Sequence, residues 1–336
     1  MLIVMVISLT LARFGEVKLI IKKASSGGLF LIKIIRMTGE KVAGLIVIYN
    51  PCYKNLEDLA NILIKEISQV FIVNNGISDV IYQKKKKLLE EKGVKFIEMN
   101  GNAGIAKALN CGVATINSEG YAYCWLFDQD SLPERGGLGI LLRIFQSQLS
   151  GSAPLAAVVP SIMDLHGKKM LPMLVGTKDG KVMEKMITLK QEVSAAITSG
   201  MLVDINVWLQ TKGAKEEYFI DFVDTEWCFR AKSKGYQIIC EPGTVLHHRL
   251  GDVGPEFSNF NGRAIRQRPA MRTYHFVRNG LLLSAESYVP NNWAAYVFQK
   301  IVKVCAIGII LGPNRFEQFR AIVQAIKYVI KVKLKP

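Results

Sequence analysis

The sequence predicts an α/β domain built on a mostly parallel central sheet flanked by helices, and three observations agree on it. From residue 42 onward, apolar β-branched runs alternate with segments of helical periodicity. Such alternation is typical of right-handed crossovers between parallel strands. Polar side chains directly follow several of the predicted strands, where ligands of open α/β sheets bind.

The predicted elements follow one another in a regular order. Strands are predicted over residues 42–49, 70–73, 94–98, 121–128, 156–160, 193–203 and 237–240, and helices over 55–68, 80–92 and 136–149. Another helix is opened by a glycine-containing turn within residues 100–112 and is predicted to run to about Ile116. Residues 161–192 are polar and contain glycines, so we expect loops or a small hairpin there. A further helix is predicted to begin at Asp224 or Thr225, since either residue suits a helix N-cap.

Composition limits the class of partner. The 336 residues include 43 Lys and Arg against 28 Asp and Glu, a net charge of +15. A basic surface suits nucleic acid, an anionic membrane or phosphate-bearing substrates. No zinc-finger spacing, RNP-like motif or base-reading basic helix occurs, so we expect no nucleic-acid partner. The six cysteines form no Cys-x-x-Cys pair and lie mostly in apolar runs, which is typical of reduced core thiols in a cytosolic protein.

Two carboxylates, Asp128 and Asp130, end the apolar run that begins at Tyr121. In an extended chain they point to the same side, so both can approach one divalent cation. The alternative is an ordinary polar turn or helix cap. Polar residues at the other strand ends favour the metal site.

Those other polar residues follow the first three predicted strands. They are Tyr49, Asn50, Asn74, Asn75 and Asn102. Because the carboxyl ends of parallel strands meet at one edge, a nucleotide could lie across them with its diphosphate beside the aspartates. Neither Gly-x-Gly-x-x-Gly nor Gly-Lys-Ser/Thr occurs, so neither a dinucleotide-binding fold nor a P-loop is predicted.

A Thr-Ser-Gly segment, Thr198 to Gly200, interrupts the strand predicted over 193–203. Small polar residues with a glycine permit a ligand to approach the backbone closely. An ordinary bulge is the alternative, and the residues alone do not decide between the two.

An acidic cluster lies around the start of the helix predicted from Asp224. Asp221, Asp224 and Glu226 fall among large apolar residues, where an unpaired carboxylate costs free energy. A partly buried carboxylate at a helix N-terminus near a metal is a candidate general base. His247 and His248 follow a later apolar run, and a functional role is favoured for them because the chain already predicts a metal site.

Taken together, these segments resemble family-2 glycosyltransferases of the GT-A fold, most closely their bacterial rhamnosyltransferase branch. The matching segments occur in the family's order between about residues 42 and 280. They are Ile46-Val47-Ile48-Tyr49-Asn50-Pro51, Val73-Asn74-Asn75-Gly76, residues 102–106, Leu126-Phe127-Asp128-Gln129-Asp130-Ser131, Thr198-Ser199-Gly200, residues 219–230, and His248-Arg249-Leu250-Gly251-Asp252.

The resemblance implies transfer of a sugar from a nucleotide diphosphate, with dTDP-L-rhamnose as the expected donor and inversion at the anomeric carbon. Asp128 and Asp130 match the motif that holds Mg²⁺ or Mn²⁺ on the diphosphate, with Asp130 the favoured direct ligand. His248 matches a third metal ligand of some relatives, and Asp224 matches the catalytic base.

The remaining site residues also come from the resemblance. It implies that the nucleotide sugar is bound by Tyr49, Asn50, Asn75, Asn102, Asp128 and Gln129, and that the donor or acceptor sugar is contacted by Thr198, Ser199, Gly200 and Trp227. The expected acceptor is a saccharide carried on a lipid diphosphate, in the synthesis of a bacterial cell-surface polysaccharide such as O-antigen.

The sequence departs from the family at two places. Many members have an Asp, contacting the nucleobase, where Asn74 or Asn75 stands, which leaves base recognition open. Many also have an acidic residue before the base, where this chain has Val223. Asp224 is therefore favoured as the base, with Asp221 as the alternative.

Other functions are compatible with parts of the pattern. An apolar strand followed by Asp-x-Asp-Ser-Leu also occurs in haloacid-dehalogenase-type phosphatases, where Asp128 would be the nucleophile. That motif normally lies on the first strand, whereas three strand–helix units precede Asp128. A same-fold enzyme that uses UDP-galactofuranose or UDP-GlcNAc would also fit the residues, and so would a non-catalytic relative.

The chain is predicted to have three parts. Residues 1–36 are expected to be an extension outside the fold, 37–285 the catalytic domain, and 286–336 a helical region. Helices are predicted over 293–312 and 322–334, and both have lysines beside apolar residues. This pattern favours peripheral attachment of a cytoplasmic protein to the anionic inner face of the cell membrane. Packing of these helices against the catalytic domain is the alternative. Several arginines precede this helical region, and they could bind phosphate groups or be solvated surface residues: Arg263, Arg266, Arg268, Arg272 and Arg278.

Overall fold

The computed structural model describes residues 4–11, 15–23, 30–37, 41–148, 153–165, 168–248, 257–258, 264–265, 268–311 and 314–333. The matching segment Arg249-Leu250-Gly251-Asp252 and the arginines Arg263 and Arg266 lie outside these residues. Three N-terminal strands, β1 (Val4–Leu11), β2 (Gly15–Lys23) and β3 (Phe30–Met37), form one antiparallel sheet. Within the described residues, these strands pair only with one another.

A ten-stranded sheet follows, with helices between many of its strands. Its first elements are β4 (Val42–Ile48), α1 (Tyr53–Glu66), β5 (Gln69–Asn74), α2 (Val80–Glu90), β6 (Lys95–Glu98), α3 (Ile105–Ser118), β7 (Tyr123–Asp128), β8 (Ser131–Pro133) and α4 (Gly137–Gln146). The next are β9 (Leu155–Asp164), β10 (Lys169–Met170), β11 (Met173–Gly176), β12 (Val182–Lys185), β13 (Gln191–Glu192), β14 (Leu202–Asp204), α5 (Ile205–Gln210), a 3₁₀ turn (Glu216–Tyr218), α6 (Val223–Ser233) and β15 (Gln237–His248).

Two short strand pairs stand apart from the large sheet, and helices complete the chain. Strands β11 and β12 form a hairpin of their own, within the region where a small hairpin was predicted. After β15 come the paired strands β16 (Phe257–Ser258) and β17 (Ala264–Ile265), then α7 (Ala270–Ser284), α8 (Trp293–Ala306), a π-helical turn (Ile307–Leu311) and α9 (Arg315–Lys333).

The strand order of the large sheet is β13-β15-β9-β14-β7-β4-β5-β6, with β10 beside β9 and β8 beside β15. Strands β7, β4, β5 and β6 are mutually parallel, and so are β9 and β15. The short strand β14 lies antiparallel between β7 and β9. The predicted α/β fold with a mostly parallel sheet is confirmed, and the carboxyl ends of β4, β5, β6 and β7 meet at one edge.

Two of the predicted strands differ most from the structure. The strand predicted over 193–203 is wrong for most of its length, because only β14 pairs regularly there. Gly200 has a φ of +78°, and a Cβ at this position would lie 3.0 Å from the Pro160 ring, so the chain turns there instead of extending. The strand predicted over 237–240 is longer, since β15 continues through a register shift between Glu241 and Val245 as far as His248.

Alternate side chains of β4 pack on opposite faces of the sheet. Leu45 belongs to a cluster with Leu109 of α3, and Ile46 to a second cluster with Leu59 of α1. The first cluster also includes Trp293 of α8 and Ile322 of α9. The inward faces of the C-terminal helices are therefore part of the same core as the sheet.

Glu226 of α6 is fully buried and forms a two-point ion pair with Arg230. The Arg230 Nε donates to Oε1 at 2.6 Å and Nη2 to Oε2 at 2.8 Å, while the Tyr288 hydroxyl donates to Oε1 at 2.7 Å. Removing one partner of a buried ion pair leaves the other charge uncompensated. This cluster is therefore a structural contact of the fold.

We expect Glu226→Ala to lower the free energy of unfolding by about 3–5 kcal/mol, measured by urea denaturation. Glu184→Ala is the matched control, because Glu184 pairs with Lys300 at 2.7 Å in an exposed ion pair. Its expected cost is below about 1 kcal/mol. A Glu226→Ala protein as stable as Glu184→Ala would contradict the structural role of Glu226.

Candidate active site

The structure brings together Asp128, Asp130 and His248. Asp128 is the last residue of β7, Asp130 lies in the turn into β8, and the pairing of β15 with β8 places His248 opposite Ser131. One ligand atom of each lies within 4.8 Å of those of the other two. Carboxylate oxygens and an imidazole nitrogen are suitable ligands for Mg²⁺ or Mn²⁺, so this set fits a divalent metal.

The electrostatics of the cluster also favour a cation. Burial raises the pKa of Asp128 to about 6, His248 opposes that rise, and the carboxylate of Asp130 adds to it. The Nδ1 of His248 lies 3.6 Å from the Oδ1 of Asp130. A divalent ion would compensate the negative charge of the two carboxylates.

Two buried serines hold this cluster in place. The Ser131 Oγ lies 2.7 Å from the His248 Nδ1 and 2.5 Å from the Ser199 Oγ. The Ser199 Oγ also accepts a hydrogen bond of 3.1 Å from the Asp128 backbone N–H. Ser131 was not predicted as a site residue. Its position directly after Asp130 was visible in the sequence, but its contact with His248 depends on strand pairing.

The Thr-Ser-Gly segment reaches the aspartates because it lies along β7. The Gly200 N–H donates to the Leu126 carbonyl at 2.7 Å, and the Leu126 N–H donates to the Met201 carbonyl at 2.9 Å. Thr198 and Ser199 are both buried. The segment is therefore next to the predicted metal ligands.

Asn75 and Asn102 lie together at the edge formed by the ends of β5 and β6. The Asn75 side chain donates to the Asn102 Oδ1 at 3.1 Å and accepts from the Ala103 N–H at 2.9 Å, while Asn102 also accepts from the Gly104 N–H. Gly76 has a φ of +102°, and a Cβ there would lie 2.6 Å from the Asn102 backbone nitrogen. The two side chains therefore fix the turn that follows Asn102. The backbone of this turn passes so close to position 76 that only glycine fits there.

Gln129 ties the end of β4 to the turn between the aspartates. Its Oε1 accepts from the Tyr49 backbone N–H at 2.7 Å, and its Nε2 donates to the Tyr49 carbonyl at 3.0 Å. Tyr49 and Asn50 are exposed at this edge of the sheet. The Gln129 amide thus positions the strand end at which the nucleotide was predicted to bind.

The two candidate bases differ in their partners. Asp221 accepts hydrogen bonds from Arg268 Nη1 at 2.9 Å and from Arg272 Nε at 3.4 Å. Asp224, the second residue of α6, accepts from the Thr225 N–H at 2.7 Å and the Thr225 hydroxyl at 3.3 Å. The charge of Asp221 is therefore compensated by two arginines, while the described hydrogen bonds of Asp224 come from neutral groups.

Asp224 interacts electrostatically with Asp128 of the metal cluster. Burial raises the pKa of Asp224, the hydrogen bonds from Thr225 oppose this rise, and the charge of Asp221 adds to it. The charges of Asp224 and Arg272 in turn act on the pKa of Asp128, the first raising it and the second lowering it. Arg272 lies on α7 and pairs with Asp221, and the sequence indicated it only as part of a basic stretch.

Trp227 was predicted to contact a sugar, and the structure corrects this. The ring is completely buried, stacks against Trp208 with 4.9 Å between ring centroids, and donates from Nε1 to the Thr211 hydroxyl at 3.0 Å. A side chain with no exposed surface cannot contact a substrate. Trp227 is a core residue of α6.

The fold is that of the GT-A glycosyltransferases. The structure of GalNAc-T7 with UDP, GalNAc and Mn²⁺ is similar with a TM-score of 0.53 and 10% identity, over 88% of this chain and 58% of that one. Mannosyltransferase PcManGT from Pyrobaculum calidifontis, solved with GDP-Man and Mn²⁺, has a TM-score of 0.51 and 14% identity, over 87% and 75%. At these identities the similarity shows the fold alone, and the chain spans less than two thirds of GalNAc-T7.

The chain belongs to glycosyl transferase family 2. The model of that family matches residues 45–185. The dTDP-rhamnosyl transferase RfbF of Shigella flexneri is 30% identical over 254 residues, which are 75% of this chain and 82% of that protein. The predicted family and enzyme class are confirmed, and the phosphatase alternative with Asp128 as nucleophile is wrong.

Proposed function

We propose that this protein transfers L-rhamnose from dTDP-L-rhamnose, with inversion, to a saccharide acceptor carried on a lipid diphosphate, in the synthesis of a bacterial cell-surface polysaccharide such as O-antigen. The 30% identity with a dTDP-rhamnosyl transferase carries the choice of donor. The charge of Asp224 acts on Asp128, which lies with Asp130 and His248, and this supports the chemistry.

Asp130, Asp128 and His248 hold Mg²⁺ or Mn²⁺ in this proposal, with Asp130 as the principal ligand. The bound ion supplies charge neutralisation to the diphosphate that leaves with the nucleotide. Ser131 keeps the His248 ring oriented through its hydrogen bond to Nδ1. Such supporting contacts are important for metal affinity because they fix the direction of the ligand atoms.

The donor lies across the edge of the sheet in this proposal. Tyr49, Asn50, Asn75 and Asn102 bind the nucleotide, Gln129 positions Tyr49, and Thr198, Ser199 and Gly200 lie beside the sugar. The turn fixed by Asn75 and Asn102 is preorganised by its own hydrogen bonds. A preformed turn binds without the entropy cost of ordering a loop.

Asp224 is the proposed general base, and it removes the proton from the acceptor hydroxyl as that oxygen attacks the anomeric carbon. Inversion follows because the oxygen attacks from the face opposite the leaving diphosphate. Burial raises the pKa of Asp224, which makes the carboxylate a better proton acceptor. Asp221 is less suited to this step because its charge is compensated by Arg268 and Arg272.

The donor can be tested by a thermal-shift screen with Mn²⁺ and dTDP-L-rhamnose, UDP-galactofuranose or UDP-GlcNAc. We expect the melting temperature to rise with dTDP-L-rhamnose alone, since a ligand at one hundred times its Kd adds about 2.7 kcal/mol of stability. Free dTDP and UDP are the controls for nucleotide binding. A larger shift with either UDP-sugar would refute the rhamnose donor and leave the transferase class intact.

The domain division and location complete the proposal. Residues 37–285 form the catalytic domain, residues 1–36 lie outside its fold, and residues 286–336 place the enzyme on the inner face of the cell membrane, where a lipid-linked acceptor is available. The separate pairing of β1, β2 and β3 supports the first boundary.

A further inference from the structure

We infer that one exposed face of α9 binds the surface of an anionic lipid bilayer. The inference deepens the membrane location in the proposed function and rests on that part of it, and it does not depend on which sugar the enzyme transfers.

The inner face of α9 is already occupied by the protein. Ala321, Ile322 and Ala325 are buried in the hydrophobic core, and the Gln318 side chain donates to the Arg268 carbonyl at 2.6 Å. The helix is therefore held in a fixed orientation along the catalytic domain. Several large apolar side chains of the same helix remain exposed.

Large apolar side chains form a stripe on the outer surface of α9. Phe316, Phe319, Ile326 and Ile330 are 78%, 54%, 41% and 50% exposed. Their spacing of three, seven and four residues places them on one side of a helix with 3.6 residues per turn. Aromatic and aliphatic side chains in such a row are typical of a helix that lies in a membrane interface.

Basic side chains accompany this stripe. Within Arg315–Lys333 there are five Lys or Arg residues and a single acidic residue, Glu317. At 100° per residue, Arg320, Lys327 and Lys331 fall along one flank of the apolar stripe. Long basic side chains beside an apolar face complement anionic lipid headgroups, which favours a bilayer over a neutral protein surface as the partner.

The preceding helix supports a position on the membrane surface. The segment Trp293–Ile310 is long and apolar enough to span a bilayer, and 17% of its residues are buried in the protein. However, Glu184 of the β11–β12 hairpin pairs with Lys300 at 2.7 Å and accepts a hydrogen bond from the Tyr296 hydroxyl at 2.7 Å. Trp293, Val297 and Ile301 of α8 are also buried in the core of the catalytic domain, so α8 lies along that domain and α9 is presented beside it as a surface-lying helix.

Flotation of the full chain with vesicles tests the inference. We expect binding to phosphatidylcholine vesicles that contain phosphatidylglycerol, and much weaker binding to phosphatidylcholine alone. Lys327→Gln/Lys331→Gln should weaken binding about thirtyfold, and Phe316→Ser/Phe319→Ser at least about tenfold. Matched controls on α2 are Lys84→Gln/Lys87→Gln and Ile81→Ser/Leu88→Ser, which change exposed lysines and exposed large apolar residues of another helix.

The outcomes separate the possible partners of α9. Equal binding to both vesicle types, or equal losses in the α2 and α9 variants, would overturn the inference. So would a dimer in sedimentation velocity that the α9 variants convert to monomer, because the stripe would then be an interface between two copies. Donor-induced thermal shifts in the α9 variants show that they are folded, and they keep a failure of the membrane surface distinct from a failure of the transferase proposal.

Discussion

Asp224→Asn is expected to keep donor binding and to lower the rate of transfer by about a thousandfold, since general-base catalysis typically contributes a factor of about 10² to 10⁴. The substitution preserves the shape of the side chain, and the remaining oxygen can still accept from Thr225. Donor binding is measured by thermal shift, and transfer by donor-dependent release of the nucleotide in the presence of acceptor.

Asp221→Asn is the matched control for this prediction. It removes the same charge three residues away, but from a carboxylate whose partners are Arg268 and Arg272. We expect a loss of no more than about tenfold, because the proton-accepting group remains. The opposite result, an active Asp224→Asn and an inactive Asp221→Asn, would identify Asp221 as the base.

The pH–rate profile gives a second measure of the same carboxylate. A base must be deprotonated, and burial raises the pKa of Asp224, so activity is present above this raised pKa and is lost as the pH falls through it. The acid limb of the wild-type profile should therefore lie above the ordinary Asp pKa of about 3.9. The residual rate of Asp224→Asn should lack that limb.

The order of elements from β4 to β7 could be predicted because β4, β5 and β7 contain continuous apolar runs and α1 has a clear helical period. The insertion of β14 between β7 and β9 could not be predicted from the sequence. Its short length results from the turn at Gly200, where a side chain would meet Pro160 and Leu246. These contacts join distant parts of the chain, and no local pattern contains them.

In the candidate site too, residues within one segment could be predicted, whereas contacts between distant segments could not. Asp128 and Asp130 are evident at a strand end, and resemblance suggested His248. The Ser131–His248 hydrogen bond joins residues 117 positions apart, so it depends on the pairing of β8 with β15. Trp227 was misinterpreted because an aromatic residue beside acidic residues has the same sequence pattern whether it faces a substrate or the core.

Asp130→Ala is expected to lower metal-dependent donor affinity by a factor on the order of one hundred or more, since changes only in the residues that support metal ligands already cost about 10- to 100-fold. The variant retains Asp128 and the His248 ring held by Ser131, so the fold of the site should survive. Donor binding is measured by titration calorimetry with Mn²⁺ and again after chelation. The wild type should approach the variant once the metal is removed.

Asp179→Ala is the control for this loss of a carboxylate. Asp179 is exposed and pairs with Lys181 at 2.7 Å, in the hairpin between β11 and β12. Because it lies outside the metal cluster, its removal changes the net charge by the same amount without removing a ligand atom. Equal donor affinities for Asp130→Ala and Asp179→Ala in Mn²⁺ would show that Asp130 does not hold the metal, and the diphosphate would then depend on the basic side chains of α7.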